Sequence, residues 1–192
     1  AMVTRSDNAS AVALLHLVGA ANVDATLRRI GAADLSVNTR DLPATAAGMA
    51  RLMEAIVRGE NLSPDARRHA RDLLLAQEWR EGIPAGLPPG ATAGNKTGTW
   101  EGLTHDIGFV EAPGGTYVIA VLSAHGWVWD PIARISAARR RSRVTSVAST
   151  GTPESARISA RTASRGSPIM LAPWVISTSA GSRPAWASAS RI

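Results

Sequence analysis

Cysteine is absent from the 192 residues. That excludes disulfides and thiolate metal sites but leaves the compartment open, because exported proteins also dispense with cysteine. No apolar run approaches the roughly 20 residues that cross a bilayer as a helix, and the opening AMVTRSDNAS has no signal-peptide pattern. Phenylalanine and tyrosine occur once each. Lysine also occurs once, although Lys and Arg together number 21. Positive charge is therefore not avoided, and the solitary Lys96 in GNKTGTWEG, residues 94–102, needs a reason. A solvated side chain near a turn is the plainest one; the small neighbours permit another, a charge set in a groove.

What is present is enough for a core: 45% of the residues are hydrophobic, and the length suits one domain, alone or with a tail. The net charge of +6 is unevenly placed. Residues 1–138 hold 12 Lys/Arg against 14 Asp/Glu, a balance of −2, whereas residues 139–192 hold nine Arg against Glu154 alone, a balance of +8. Twelve serines fall in those last 54 residues. Composition thus divides the chain into a domain at 1–138 and a basic Arg/Ser-rich tail at 139–192. Arg/Ser/Ala-rich sequence without period is what a GC-rich gene yields in the wrong frame; a genuine disordered tail is the alternative. Nucleic-acid binding is poorly supported, since Trp174 and Trp186, the tail's only aromatics, do not alternate with the arginines as stacking platforms do.

AVALLHLV, residues 11–18, is apolar nearly all round and predicts a buried helix. His16 within it reads as a packing residue, with no second histidine at metal-binding spacing. Asn22 is placed to cap a short helix, VDATLRRI, that stops at Gly31. A third helix is predicted from Thr45 to Arg58, with Met49, Leu52, Met53 and Ile56 on one face and Gly59 as its stop. Those methionines are core. Ser63-Pro64-Asp65 starts a fourth helix, which its pattern carries to about Trp79. Proline and glycine in IPAGLPPGATAG then forbid helix, and three strand-like runs follow at 92–99, 104–111 and 116–124. The turn APGG makes the last two an antiparallel hairpin. Asp130-Pro131 caps a last helix, PIARISAA. In the tail, Pro173 limits PIMLAPWVIS to an edge strand or an irregular segment. The fold class is therefore α+β, a helical lobe plus an antiparallel sheet lobe.

Two triplets carry chemistry. Ser6-Asp7-Asn8 stands just before the first helix, and Lys96-Thr97-Gly98 lies on the first strand. With their contexts, SDNASAVALLHLVG, TAAGMARLMEAIVRGENLSPDA, IPAGLPPG and NKTGTWEGLTHDIGFVEAPGGTYVIAVL, they resemble two of the three signatures of the class A β-lactamases and penicillin-binding serine hydrolases. The resemblance covers about residues 3–138. It implies a β-lactamase-like fold and an acyl-enzyme mechanism acting on a small β-lactam or peptide amide, with no metal or other cofactor and an exported, periplasmic or extracellular location. It assigns Ser6 to proton relay, Asn8 to the substrate's side-chain amide, and Lys96 to the positive field beside Ser6 and the substrate carboxylate. Thr97 and Thr99 would bind that carboxylate, the Thr99 backbone N–H would form half an oxyanion hole, and Gly98 would let the ligand approach. Asp7 and an Arg40–Asp41 ion pair would be structural.

The departures limit the activity expected. A Ser-x-x-Lys signature needs a lysine three residues after a serine, yet Ala93 precedes Lys96 at that distance, so these residues hold no nucleophile motif. No glutamate occurs before Glu54 to activate a hydrolytic water, and GAADLSVNTRDLPAT offers only Asp34 and Asp41. The reading is a truncated, inactive family member; a non-catalytic ligand-binding or interaction module is the alternative. Ser6 and Lys96 are expected to face one another across the junction of the lobes. The helix at 11–18 should lack a partner for its apolar face. TYVIAVLSA, residues 116–124, is expected to be an open edge prone to self-association.

Overall fold

The computed structural model describes residues 1–40, 42–100, 103–123 and 129–138 and a strand at 173–177. Four helices come first: α1 (Asn8–Val18), α2 (Ala20–Arg29), α3 (Ala46–Arg58) and α4 (Pro64–Leu75). A 3-10 turn at Ile83–Gly86 leads into β1 (Thr92–Trp100), β2 (Leu103–Ala112) and β3 (Gly115–Ser123), followed by α5 (Trp129–Ala138) and β4 (Pro173–Ser177). The sheet order is β1-β2-β3-β4, antiparallel except for the parallel β3–β4 pair. This is the expected α+β arrangement of helices and an antiparallel meander.

Local chemistry explains most boundaries. Thr45 accepts from the Gly48 N–H and caps α3, while Gly59, at φ 74°, supplies the left-handed residue that ends it. Ser63 caps α4 in the same way, with Pro64 at the first position. That helix ends at Leu75, short of Trp79, because the next stretch turns aside: the Glu78 N–H donates to Thr4 O and Gln77 Nε2 to Val3 O. Asn22 is not a cap. The α2 helix starts earlier, after Gly19, whose φ of 84° allows the sharp corner from α1, and Asn22 Nδ2 instead donates to Val18 O.

Two cores sandwich the sheet. Ile83, Ala93, Val110, Tyr117, Ile119, Val121 and Ile132 pack on the α5 side. Ala46, Ala50, Met53, Leu74, Phe109, Val118 and Ala120 pack between the sheet and helices α3 and α4. The helix at 11–18 departs from the expectation of burial, for α1 has no buried residue and Leu17 is 81% exposed. Its apolar side has no partner among the described residues.

The expected open edge at 116–124 is also corrected, because β4 pairs with Val118–Leu122. Pro173 is tolerated because it is the first residue of its strand, a position where a missing donor interrupts no ladder. Five residues of the segment set apart as a tail thus join the sheet, and the rest of 139–192 lies outside the described residues. Among those residues, no helix is long and apolar enough to cross a membrane.

Candidate functional site

Pleating of β1 sorts its side chains onto two faces. A Cβ on Gly94 would lie 2.4 Å from the Phe109 ring and 3.1 Å from Leu74, so that face meets the helices. Lys96 and Gly98 share it by alternation. Ala93, Asn95 and Thr97 take the other face, where Ala93 enters the α5-side core. A Cβ on Gly98 would come no nearer than 3.7 Å to anything, so packing does not demand glycine there. Its bare face leaves space open.

That space is a groove of about 400 Å³ lined by residues that include Ser6, Asp7, Asn8, Lys96, Thr97, Gly98 and Thr99. Ninety residues apart in sequence, Lys96 and Ser6 meet in it: Lys96 Nζ donates to Ser6 Oγ, and also to the Thr97 carbonyl at 2.6 Å. Ser6 has a φ of 57°, uncommon for a residue with a side chain and typical of positions where surrounding structure imposes strain. Asp7 is the N-cap of α1, its Oδ2 accepting from Ser10 N at 2.7 Å. Bonds from Ser10 hold its carboxyl below the usual range. Asn8 opens the helix and is exposed to the groove. Burial lowers the Lys96 pKa, and the field of Asp106 opposes that shift.

Behind the groove lies a polar cluster on the opposite face of β1. Asp106, directly across from Thr97, is fully buried. Its carboxylate accepts from Asn95 Nδ2 at 2.9 Å and Ile83 N at 2.8 Å. Burial raises its pKa to about 6 against those bonds and against the fields of Lys96 and Arg80. Asn95 Nδ2 also donates to Trp79 O at 3.2 Å, and Arg80 donates to Ala93 O at 3.1 Å. This cluster ties β1 to the segment bearing Trp79, which forms part of the groove wall.

Arg40 is exposed and does not line the groove, and Asp41 lies outside the described residues. Asp24 holds the loop, accepting from Ser36 Oγ at 2.5 Å and Val37 N at 2.8 Å. Asp34 accepts from Thr45 Oγ1 and so buttresses the α3 cap. Groove residues missed in the sequence are Arg5, Trp79 and Trp129. The missed Asp106 had a visible signal, a lone acid in the apolar strand LTHDIGFV. No group of three or more metal-ligating side chains occurs among the described residues.

The profile of the Beta-lactamase enzyme family matches residues 1–147. The chain belongs to that family. Solved structures agree in fold. A mutant of PBP-A, solved as an acyl-enzyme complex with penicillin G, has a TM-score of 0.63 at 24% identity, covering 73% of this chain and 60% of its own. A β-lactamase from Streptosporangium roseum gives 0.62 at 25% identity, over 72% and 61%. A mutant of the last common ancestor of Gram-negative bacteria class A β-lactamase gives 0.60 at 30% identity, over 70% and 58%. The chain thus spans about three fifths of these structures' length. Among curated proteins no sequence match is found.

Proposed function

We propose that the groove is the substrate-binding half of a β-lactamase-type serine hydrolase site, and that these 192 residues bind a β-lactam or peptide carboxylate without forming an acyl bond. The observation that carries the reading is the Lys96–Ser6 hydrogen bond at the groove, between the two triplets. Lys96 donates to Ser6 Oγ, which leaves the Ser6 O–H free to donate to the nitrogen of a bound lactam or amide. With a nucleophile in place the same bond would deliver the proton to the leaving nitrogen, and a lysine whose pKa is lowered by burial would replace it more readily. Lys96, Thr97 and Thr99 take the ligand carboxylate, Asn8 takes a side-chain amide, and the Thr99 N–H meets the reacting carbonyl. Asp7 fixes the direction of α1 and thereby Asn8.

No covalent step follows within these residues, because they contain no Ser-x-x-Lys. A fluorescent penicillin should raise polarisation reversibly, be competed by benzylpenicillin, and leave no label after denaturation. Lys96→Met should weaken that binding at least about tenfold, the scale of a lost charged hydrogen bond. A stable mass increase equal to one penicillin would refute the proposal.

The alternative, an interaction module that keeps the groove but uses it for a protein partner, is favoured only by the missing motif. Retained penicillin binding in Lys96→Met would move the balance toward it.

A further inference from the structure

The groove holds a second cation that the proposed chemistry does not use. Arg5 lines it beside Ser6, and neither Arg5 nor Lys96 makes an ion pair within 4.0 Å among the described residues. The only carboxylate in the lining among the described residues, Asp7, is already engaged at the N-terminus of α1 by the Ser10 N–H. The segment bearing Arg5 is also fixed. Its backbone N–H donates to Ala1 O at 2.9 Å, and the flanking Val3 and Thr4 carbonyls accept from Gln77 Nε2 and Glu78 N, next to the groove residue Trp79.

From this we infer that the groove selects ligands with two carboxylates, one held at Lys96 and the second at Arg5. This deepens the proposed function and rests on it. A guanidinium offers a planar pair of donors that fits a carboxylate fork, and here Asp7, whose pKa its field helps to lower, does not pair with it within 4.0 Å. Its exposure sets the scale of the effect. An ion pair open to solvent contributes up to about 1 kcal/mol, or about fivefold in affinity, and weakens with salt. The ligand class is a β-lactam with a carboxylate on its side chain, or a peptide with its C-terminal and one side-chain carboxylate both free.

Benzylpenicillin and carbenicillin test this directly, because they differ by one side-chain carboxylate. Competition against a fluorescent penicillin on the full chain should give carbenicillin about fivefold tighter binding at low salt, with the advantage shrinking as salt rises. Arg5→Gln should bring the ratio of the two affinities to about one, and Arg5→Lys should restore part of it. Circular dichroism on both variants confirms the fold. Equal affinities in the unaltered chain, or a ratio unchanged by Arg5→Gln, would overturn the second-carboxylate inference and leave the groove reading intact. If neither compound competes, both readings fall.

Discussion

Helices α1 and α3 are both rich in apolar residues, NASAVALLHLV and AAGMARLMEAIVR, yet α3 buries five residues and α1 buries none. Pattern separates them. In α3 the charges of Arg51, Glu54 and Arg58 stand together and pair with one another, so Ala46, Ala50 and Met53 form a stripe turned to the sheet. The α1 helix has no such polar stripe to set a direction. Apolar content shows that a helix needs a partner, while periodicity shows where that partner lies. The groove sits between these regimes, with Ser6 and Asn8 at the start of the uncovered helix and Lys96 on β1, which packs against α4, the neighbour of the covered helix.

The sharpest test of the contrast is in the α3 core. Met53 is 1% exposed among Ala46, Ala50, Leu74 and Phe109. Met53→Ala should cost about 2–5 kcal/mol, the range for emptying a packed site. A urea-denaturation shift under about 1 kcal/mol would show that α3 is no better packed than α1.

The next largest effect compares the faces of β1. Asp106 is buried behind Lys96 with a pKa of about 6, against roughly 3.9 in an unfolded chain. The folded state therefore holds this proton more tightly than the unfolded state does. Its contribution to stability is fully present below about pH 4 and is lost as pH rises through 6, a total of about 3 kcal/mol. Asp7, Asp24 and Glu60, whose pKa values are lowered, act in the opposite sense: their contributions are present above about pH 4 and are lost as pH falls further. Asp106→Asn should abolish the loss of stability on raising the pH from 4 to 7, exposing in that window the opposite slope of His105, whose pKa burial lowers, and should leave the acid limb unchanged. An unaltered slope between pH 4 and 7 would remove Asp106 as its source.

Where the sequence was legible, the determinants were local. Thr45, Gly59, Ser63 and Pro64 mark α3 and α4 because a cap needs only neighbouring residues, and the hairpin turn between β2 and β3 lies at Ala112–Gly115 as its residues require. The Lys96–Ser6 approach was readable only through the family motifs, since ninety residues separate the partners. Contacts that depend on tertiary docking were not legible. The α4 helix stops early because its successor is held by Val3 and Thr4, and Arg5 enters the groove with that same segment. For α1 the apolar run pointed wrongly to burial, because composition carries no information about whether a covering element is present, whereas the expectation that its apolar face lacks a partner holds among the described residues.

Capping offers a smaller and more discriminating comparison, for both helices have a side-chain N-cap. Thr45→Ala should lower global stability by about 1 kcal/mol, because α3 belongs to the cooperative core. Asp7→Ala removes an equivalent bond from a helix that buries nothing, so it should speed amide exchange in the first turn of α1 and hardly change the melting transition. Equal shifts in melting for the two variants would mean that α1 unfolds with the core.

The smallest stability effect is expected on the open side of α1 itself. Leu17 is 81% exposed, and Val12, Leu14 and Val18 stand between 44% and 53%. Leu17→Ser removes apolar surface that is wet in both the folded and unfolded chains, so stability should move by no more than about 0.5 kcal/mol. Association is another matter. Several large apolar side chains on one exposed helix form the kind of patch through which chains adhere. Sedimentation velocity over a concentration series should show the unaltered chain shifting to heavier species, and a Val12→Ser, Leu17→Ser double variant should reduce that shift. Loss of more than about 1 kcal/mol on Leu17→Ser, with association unchanged, would mean that α1 is packed after all, and the contrast with α3 would collapse.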